Sequence, residues 1–212
     1  EQTLAAAKND NNNAFEYIME KEAYEALEAL DQKDKNNILW GIPFVIKDNF
    51  STKDVPTTAS SDILVGYKPI FNATVYERIL NQGGIPIGKT TLDELALGGT
   101  GMSGHLGYTY NPWDKSHSRL VGGSSAGSAS TVAAGIVPLG IGSDTGDSVR
   151  KPASFAGLVG FKPTYGRISR YGLFAFASSL DHLGVFARNV RDAAIVTDIV
   201  KGHDSHDMTS LP

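Results

Sequence analysis

Two clusters of glycine and serine, at 122–128 and 142–150, are the feature that most restricts how this chain can fold. They read Gly-Gly-Ser-Ser-Ala-Gly-Ser and Gly-Ser-Asp-Thr-Gly-Asp-Ser-Val-Arg. Between them, the pattern predicts one short helix at 128–134 and one strand at 136–141. Small residues let a backbone come close to a reacting group and turn its N–H groups toward it. We therefore expect the two clusters to face each other across that helix and strand.

Strand and helix patterns alternate along the chain, which predicts an α/β domain with a largely parallel or mixed sheet. The apolar run 38–46, broken by Gly41 and Pro43, predicts a buried strand that delivers Lys47 at its end. Reactive loops in such folds lie at the carboxyl ends of strands, where Lys47 and the loop around Ser148 fall. The other predicted elements are a strand at 85–88 and helices at 20–30, at 92–97 and from an Asn72 cap to Gly83.

The composition describes a soluble globular protein in a reducing compartment, and we predict a single domain over residues 1–212. No apolar run approaches the ~18 residues of a membrane span. The lack of cysteine excludes thiol catalysis, thiolate metal sites and disulfides.

Residues 1–35 hold four Lys and nine Asp or Glu, a net charge of −5. The whole chain has a net charge of −4, so the other residues sum to +1. We interpret 1–35 as an acidic, partly helical arm with a solvated face, with partner docking as the alternative, and no basic stripe suggests nucleic-acid binding.

A lysine and two serines, Lys47, Ser124 and Ser148, are enough chemistry to hydrolyse an amide without histidine or cysteine. Ser124 and Ser148 are 24 residues apart, and Lys47 precedes Ser124 by 77. Lysine can accept the serine proton only when neutral, against an ordinary pKa of about 10.4. The apolar residues before Lys47 favour burial, which lowers that pKa, and an extended backbone points Asp48 to the opposite face. Singly, these features are typical of a surface ion pair, a flexible loop and a turn, so the hypothesis depends on their joint appearance.

The two clusters, together with the segment 41–48, which reads Gly-Ile-Pro-Phe-Val-Ile-Lys-Asp, resemble the amidase signature family over residues 41–189. The resemblance implies a mixed sheet flanked by helices, with the C-terminal part of the fold missing, because family members continue much further. It implies a Ser-Ser-Lys triad in which Ser148 attacks the amide carbonyl and Ser124 relays the proton toward Lys47. An acyl-enzyme then forms on Ser148, and the bridging Ser124 follows a cis peptide bond.

The same resemblance implies an oxyanion hole made of backbone N–H groups and a glycine-rich loop that contacts the substrate. These residues are Thr145, Gly146, Asp147 and Ser148 for the oxyanion, and Gly98, Gly99, Met102 and Ser103 for the substrate. Family members usually carry glycine where this chain has Asp147. A carboxylate beside a developing oxyanion opposes catalysis unless it turns away, and Arg150 and Lys151 offer partners for it.

Within the family, residues 163–173 and 176–181 most resemble the glutaminase subunits of tRNA-dependent amidotransferases, although His182 and Val185 differ from the Gln and Pro expected there. Such a protein hydrolyses glutamine and passes ammonia to a partner, which activates misacylated Glu-tRNA with ATP and amidates it. The resemblance implies two partners, the B and C subunits, with tRNA bound only through that complex and ATP and Mg used by the complex. It implies no cofactor, metal or membrane for this chain and a cytoplasmic location. The alternatives are a free-standing amidase for another small amide and a catalytically impaired subunit for binding or assembly.

Other patterns compete with this hypothesis. The pattern Gly-x-Ser-x-Gly around Ser125 matches the nucleophile elbow of α/β-hydrolases, which makes Ser125 a rival nucleophile. The glycines lack the Gly-Lys-Ser/Thr ending of a P-loop, which argues against a nucleotide site here. His203 and His206 lie in a polar tail that continues through 204–212 without a closing element, and a solvated tail is favoured over a metal site.

Overall fold

Six strands form one mixed sheet in the computed structural model, which describes residues 1–212. The strands are β1 Phe15–Ile18, β2 Pro43–Lys47, β3 Ile85–Thr90, β4 Leu139–Asp144, β5 Val159–Phe161 and β6 His182–Ala187. The helices are α1 Gln2–Lys8, α2 Glu20–Glu28, α3 Thr74–Asn81, α4 Ala126–Ala133, α5 Arg150–Phe155 and α6 Val190–Val200. The strand order is β1-β3-β2-β4-β6-β5, with β3, β2 and β4 parallel and every other neighbouring pair antiparallel. A mixed sheet flanked by helices confirms the predicted α/β fold.

The alternation of side chains along β2 divides the core between the two faces of the sheet. Phe44 and Ile46 pack with α3 and α6 on one face, whereas Val45 packs with α1, α2, α4 and α5 on the other. Because successive side chains of a strand point to opposite faces, Lys47 follows Val45 onto the face that α4 covers. The candidate base is therefore carried by a buried central strand.

The central parallel strands bring the two glycine–serine clusters to one edge of the sheet. In the pairing of β2 with β4, Ile46 lies opposite Ile141, so both strands end at the same edge. The cluster before α4 meets the loop after β4 there, since the Ser125 N–H donates to the Ser148 carbonyl at 3.2 Å. This contact confirms that the two clusters face each other.

Two predicted strands begin later than their apolar runs. The strand predicted over 38–46 begins only at Pro43, because the preceding residues form turns and Gly41 adopts a φ of +74°. The strand predicted at 136–141 runs instead from Leu139 to Asp144. In each run one apolar residue before the strand is buried, Leu39 and Val137, whereas Ile38 is exposed.

The predicted helices differ in outcome. α2 and α4 confirm the helices expected near 20–30 and 128–134. The Asn72 cap of α3 is wrong: its Oδ1 accepts the Lys53 N–H at 2.7 Å, and the helix starts after Ala73. The segment 92–97 forms a single 3₁₀ turn rather than a helix. None of the six helices has the length and apolar character needed to cross a membrane.

Residues 1–35 are integrated into the domain rather than forming an arm. β1 pairs with β3 at the edge of the sheet, and Ala7 of α1 and Ala23 of α2 are buried in the core. Glu20, Glu25 and Glu28 remain exposed on α2, as expected for a solvated acidic face.

The tail that follows α6 is held by a buried polar cluster, so the expectation of a solvated tail is wrong. Asp204 accepts hydrogen bonds from Thr74 at 2.5 Å and from Ser169 at 2.6 Å, and Ser210 is buried beside it. His206 stacks on Tyr171 with ring centroids 4.5 Å apart. The structure contains no group of three or more His, Asp or Glu arranged to hold a metal ion.

Candidate active site

Lys47 is fully buried at the end of β2, with an exposed fraction of 0%. Its Nζ donates to Ser124 Oγ at 2.6 Å and to Ser143 Oγ at 2.8 Å. Asn49 donates to the same Ser143 hydroxyl at 3.0 Å. Lys47 therefore lies between one hydroxyl from the cluster before α4 and one from β4, and Ser143 is a partner that sequence reasoning missed.

The surroundings of Lys47 favour its neutral form. Burial lowers the pKa of Lys47 to about 7, although the charges of Asp93, Asp144 and Asp181 oppose the shift. The neighbouring Asp48 points away and forms a buried ion pair with Lys89 at 2.9 Å. This divergence confirms the expectation from strand alternation, and it leaves Lys47 without a carboxylate in direct contact.

Ser124 is held in a tight backbone segment immediately before α4. The Gly123–Ser124 peptide bond is cis, as the resemblance implied, and Gly122 has a φ of +80°. A Cβ atom at Gly123 would overlap the carboxylate of Asp93, so only glycine fits there. The local backbone thereby presents the Ser124 hydroxyl to Lys47.

Ser148 lies beside this pair, but its hydroxyl is not hydrogen-bonded to it. The Ser148 carbonyl accepts the Ser125 N–H, whereas its Oγ makes no hydrogen bond to Ser124 or to any other group. Ser148 retains an exposed fraction of 7%, against 0% for Ser124. The proton relay implied by the resemblance needs two hydrogen bonds between side chains. The one between Lys47 and Ser124 is present, and the one between Ser124 and Ser148 is absent. The Ser148 hydroxyl is therefore free to meet an incoming group.

The loop after β4 presents a row of unpaired donors. The N–H groups of Thr145, Gly146, Asp147 and Ser148 donate to no group of the chain. Asp144 closes the base of the loop by accepting the Val149 N–H at 3.0 Å. A row of free backbone N–H groups is a site for negative charge, as in an oxyanion hole.

Two carboxylates that sequence reasoning missed hold this loop. Asp144 also binds the Arg150 guanidinium at 2.9 and 3.1 Å, and Asp181 accepts the Thr145 hydroxyl at 2.6 Å. Burial raises the pKa of the Asp144 carboxyl, but hydrogen bonds from Arg150 and Val149 outweigh it, and the pKa lies below its usual value. Asp144 directly precedes the glycine-containing turn of this loop, which was the available signal, whereas Asp181 directly precedes β6 and carried none.

Asp147 turns away toward one of its two expected partners. Its Oδ2 lies 2.8 Å from Lys151 Nζ, whereas Arg150 is bound to Asp144. The carboxylate that departs from the family pattern is therefore neutralised by an ion pair.

The loop expected to contact substrate wraps around Asp93, another residue that sequence reasoning missed. The Asp93 carboxylate accepts the N–H groups of Gly101, Met102 and Ser103 at 3.0, 3.1 and 3.3 Å, and the Ser103 hydroxyl at 2.9 Å. Gly98 packs on the Asp93 side chain, and a Cβ at Gly99 would lie 2.6 Å from Lys151 Nζ. The loop therefore borders both Ser124 and the loop after β4.

The rival nucleophile Ser125 is bound in the interior. Its exposed fraction is 0%, its Oγ donates to the Ser143 carbonyl at 3.0 Å, and it accepts the Ser143 N–H at 3.3 Å. A hydroxyl engaged in this way has no path to a substrate, so the geometry argues against Ser125 as nucleophile.

The chain belongs to the Amidase family, whose sequence profile matches residues 2–212. It is similar to the A subunits of the glutamyl-tRNA(Gln) amidotransferases of Streptococcus pneumoniae and Streptococcus uberis. The first is 49% identical over 202 residues and the second 48% over 208. These matches cover 94% and 97% of this chain but 41% and 42% of the relatives. The chain thus spans about two fifths of the length of the curated relatives it matches.

Solved structures share the fold. The glutamyl-tRNA(Gln) amidotransferase A subunit from Thermotoga maritima has a TM-score of 0.81 and 44% identity, over 91% of this chain and 46% of that protein. The allophanate hydrolase of Kluyveromyces lactis has a TM-score of 0.91 and 34% identity, over 98% of this chain and 34% of that protein. The backbone is therefore shared with amidases that carry different names.

Proposed function

We propose that this chain carries the amide-hydrolysing site of a glutaminase subunit, which supplies ammonia to convert Glu-tRNA(Gln) into Gln-tRNA(Gln). The observation that supports it most is the buried Lys47, whose pKa is lowered to about 7 and whose Nζ lies 2.6 Å from Ser124 Oγ. The similarity to the A subunits of amidotransferases over 94–97% of the chain supports the choice of reaction.

In the proposed mechanism Ser148 attacks the side-chain amide carbonyl of glutamine. The bond from Ser148 Oγ to carbon forms while its proton passes to Ser124 Oγ, and the Ser124 proton passes to neutral Lys47 Nζ. The carbonyl oxygen becomes an oxyanion opposite the free N–H groups of Thr145–Ser148. Each such donor typically contributes ~10²–10³ in rate.

The second half of the mechanism reverses the proton path. Lys47 returns its proton through Ser124 to the leaving nitrogen, the carbon–nitrogen bond breaks, and ammonia departs from a glutamyl ester of Ser148. Water then attacks the ester, with its proton taken up along the same path, and glutamate leaves. The open link between Ser124 and Ser148 has to close when substrate binds, since apo sites often show looser catalytic contacts.

The same proposal includes the assembly. The B and C subunits would be the partners, tRNA would be reached only through the complex, and ATP and Mg would act in a partner protein in the cytoplasm.

A free-standing amidase for another small amide is a second candidate. The observation that favours it is the TM-score of 0.91 with an allophanate hydrolase, against 0.81 with the Thermotoga maritima protein. In that case the proposed triad and oxyanion loop would serve a different acyl group.

Ammonia release from glutamine, measured for the complete gene product with and without the B and C subunits, tests the proposal. We expect release that rises in the presence of the partners, together with a glutamine-derived adduct on Ser148. Release from other small amides but not from glutamine would favour the free-standing amidase. No release from any amide, with stable binding to the partners, would favour a role in assembly alone.

A further inference from the structure

The ion pair between Asp147 and Lys151 lies next to Ser148 in the candidate site. Asp147 directly precedes Ser148, in the loop whose N–H groups are unpaired. The two side chains are 46% and 33% exposed, and Oδ2 lies 2.8 Å from Nζ. A backbone hydrogen bond from the Lys151 N–H to the Asp147 carbonyl, 2.8 Å long, ties the loop residue Asp147 to the start of α5.

Lys151 also contacts the loop that contains Gly99. A Cβ on Gly99 would lie 2.6 Å from Lys151 Nζ, so the ammonium lies directly against the Gly99 backbone. Arg150, the only other cation beside Asp147 in the sequence, is committed to Asp144 by two hydrogen bonds. Lys151 is therefore the one cation that forms an ion pair with the Asp147 carboxylate.

We propose that Lys151 is a positioning residue that holds the Asp147 carboxylate away from the space in front of the four free N–H groups. The inference rests on the proposed amide hydrolysis, because it concerns the oxyanion of that reaction. A carboxylate is itself an anion that a row of backbone N–H groups attracts. Released from Lys151, it would compete for these donors and repel the negative charge that develops on the substrate oxygen.

This role makes the effect of Lys151 conditional on Asp147. Lys151→Gln should lower kcat at least about tenfold with a smaller change in KM, because the repulsion grows only as the oxyanion forms. Asp147→Asn/Lys151→Gln should be at least about fivefold more active than Lys151→Gln alone, since no carboxylate remains to enter the space. The loss in Lys151→Gln should also shrink at high salt, because the released carboxylate is half exposed.

The experiment is a double-mutant cycle on the complete protein assembled with its partners, with glutamine as substrate. The variants are Lys151→Gln, Asp147→Asn and the double substitution. Lys21→Gln is the matched control, because Lys21 forms an ion pair of the same four-residue spacing with Glu25 on the exposed face of α2. We expect the control to keep wild-type kcat.

A second readout does not need glutamine. A fluorophosphonate, a general probe of serine hydrolases, is attacked by Ser148 with loss of fluoride, and its phosphoryl oxygen occupies the same N–H groups. Labelling of Ser148, followed by mass spectrometry, should slow at least about fivefold in Lys151→Gln and recover in the double variant.

Two results would overturn the inference: labelling and kcat within twofold of wild type in Lys151→Gln, or a double variant as impaired as Lys151→Gln. A wild-type protein that is labelled on Ser148 with the expected cycle, but releases no ammonia from glutamine, would count against the proposed substrate alone.

Discussion

Lys47 combines full burial with two neutral hydroxyl partners, and this combination determines its chemistry. Its ammonium form gains hydrogen bonds to Ser124 and Ser143 but no contact with a carboxylate. Burial lowers the pKa of Lys47, and the charges of three carboxylates at a greater distance raise it again in part. With a pKa of about 7, about half of the molecules hold a neutral base at neutral pH, close to the optimum for general base catalysis.

The first prediction concerns the pH dependence of the reaction. A base must be neutral to act, so kcat/KM should fall about tenfold for each pH unit below the pKa of Lys47, near pH 7, and level off above it. Initial rates between pH 5.5 and 9 measure this acid limb, the fall of kcat/KM on the acidic side of the profile. Undiminished kcat/KM at pH 5.5 would exclude Lys47 as the base.

The second prediction separates the two candidate nucleophiles. Ser148→Ala should remove the acyl-enzyme detected by mass spectrometry, and Lys47→Ala should be nearly as damaging, because members of one relay act as a unit. Ser125→Ala should keep much of the acyl-enzyme, although it loses the hydrogen bonds of Ser125 to Ser143. An adduct on Ser125 in the wild-type protein would contradict the assignment.

At the scale of elements, the loops of the site are fixed by carboxylates placed near strand ends. Asp93 follows β3 and holds the loop through Ser103, and Asp144 ends β4 and holds the loop after β4. Burial raises the pKa of Asp93, but hydrogen bonds from Gly101 and Ser103 outweigh it and lower the pKa below its usual value. Each carboxylate thus satisfies backbone donors that a loop without regular structure cannot pair internally.

The third prediction is a test of Asp93 as the centre of its loop. Asp93→Asn replaces an acceptor oxygen by a donor facing N–H groups, so KM should rise severalfold and stability should fall by about 1–3 kcal/mol. Removal of this anion should also move the acid limb of kcat/KM to lower pH, because the Asp93 charge raises the pKa of Lys47.

Asp114→Asn is the matched control for Asp93. Asp114 holds its own loop in the same way, accepting the N–H groups of Ser116, Ser118 and Arg119, but it is only partly buried and belongs to a different loop. The Asp114→Asn variant should leave KM unchanged, and kcat/KM should fall over the same acidic pH range as in the wild type. An unchanged acid limb in Asp93→Asn would show that its charge does not reach Lys47.

His105 connects three separate parts of the chain through charge. Its Nε2 lies 3.0 Å from Glu16 of β1, and its Nδ1 lies 2.8 Å from Asp62. Only the imidazolium can donate from both nitrogens. Partial burial lowers the pKa of His105, but the hydrogen bonds to Glu16 and Asp62 outweigh it and raise the pKa above 6.5.

The fourth prediction follows from the sign of that shift. A raised pKa in the folded state contributes stability that is complete below the unfolded value of 6.5 and is lost as pH rises through the folded value. The stability difference between wild type and His105→Gln, from urea unfolding, should therefore shrink between pH 6 and pH 8.5. His117→Gln is the control, since His117 stacks on Tyr110 and has no carboxylate partner. A difference that is constant with pH would contradict the ion-pair interpretation.

At the scale of the whole molecule, the α/β class and the meeting of the two glycine–serine clusters could be predicted, because both depend on local pattern and short connections. The anchors Asp93, Asp144 and Asp181 could not, because a carboxylate that accepts loop N–H groups looks in sequence like any surface acid. The open link between Ser124 and Ser148 depends on side-chain rotation, which no spacing encodes. Burial of Asp204 depends on contacts with Thr74 and Ser169, far away in the chain.

The parallel pairing of β2 with β4 has a consequence for how such a protein diversifies. Lys47 and its partner Ser143 come from adjacent strands of the central sheet, so the distance between them is independent of every loop. The loops through Ser103 and Ser148 are separate attachments to that rigid frame. Evolution can therefore remodel the loops for a new acyl group while the buried contact between Lys47 and Ser143 is inherited intact, which agrees with one backbone shared by relatives of different names.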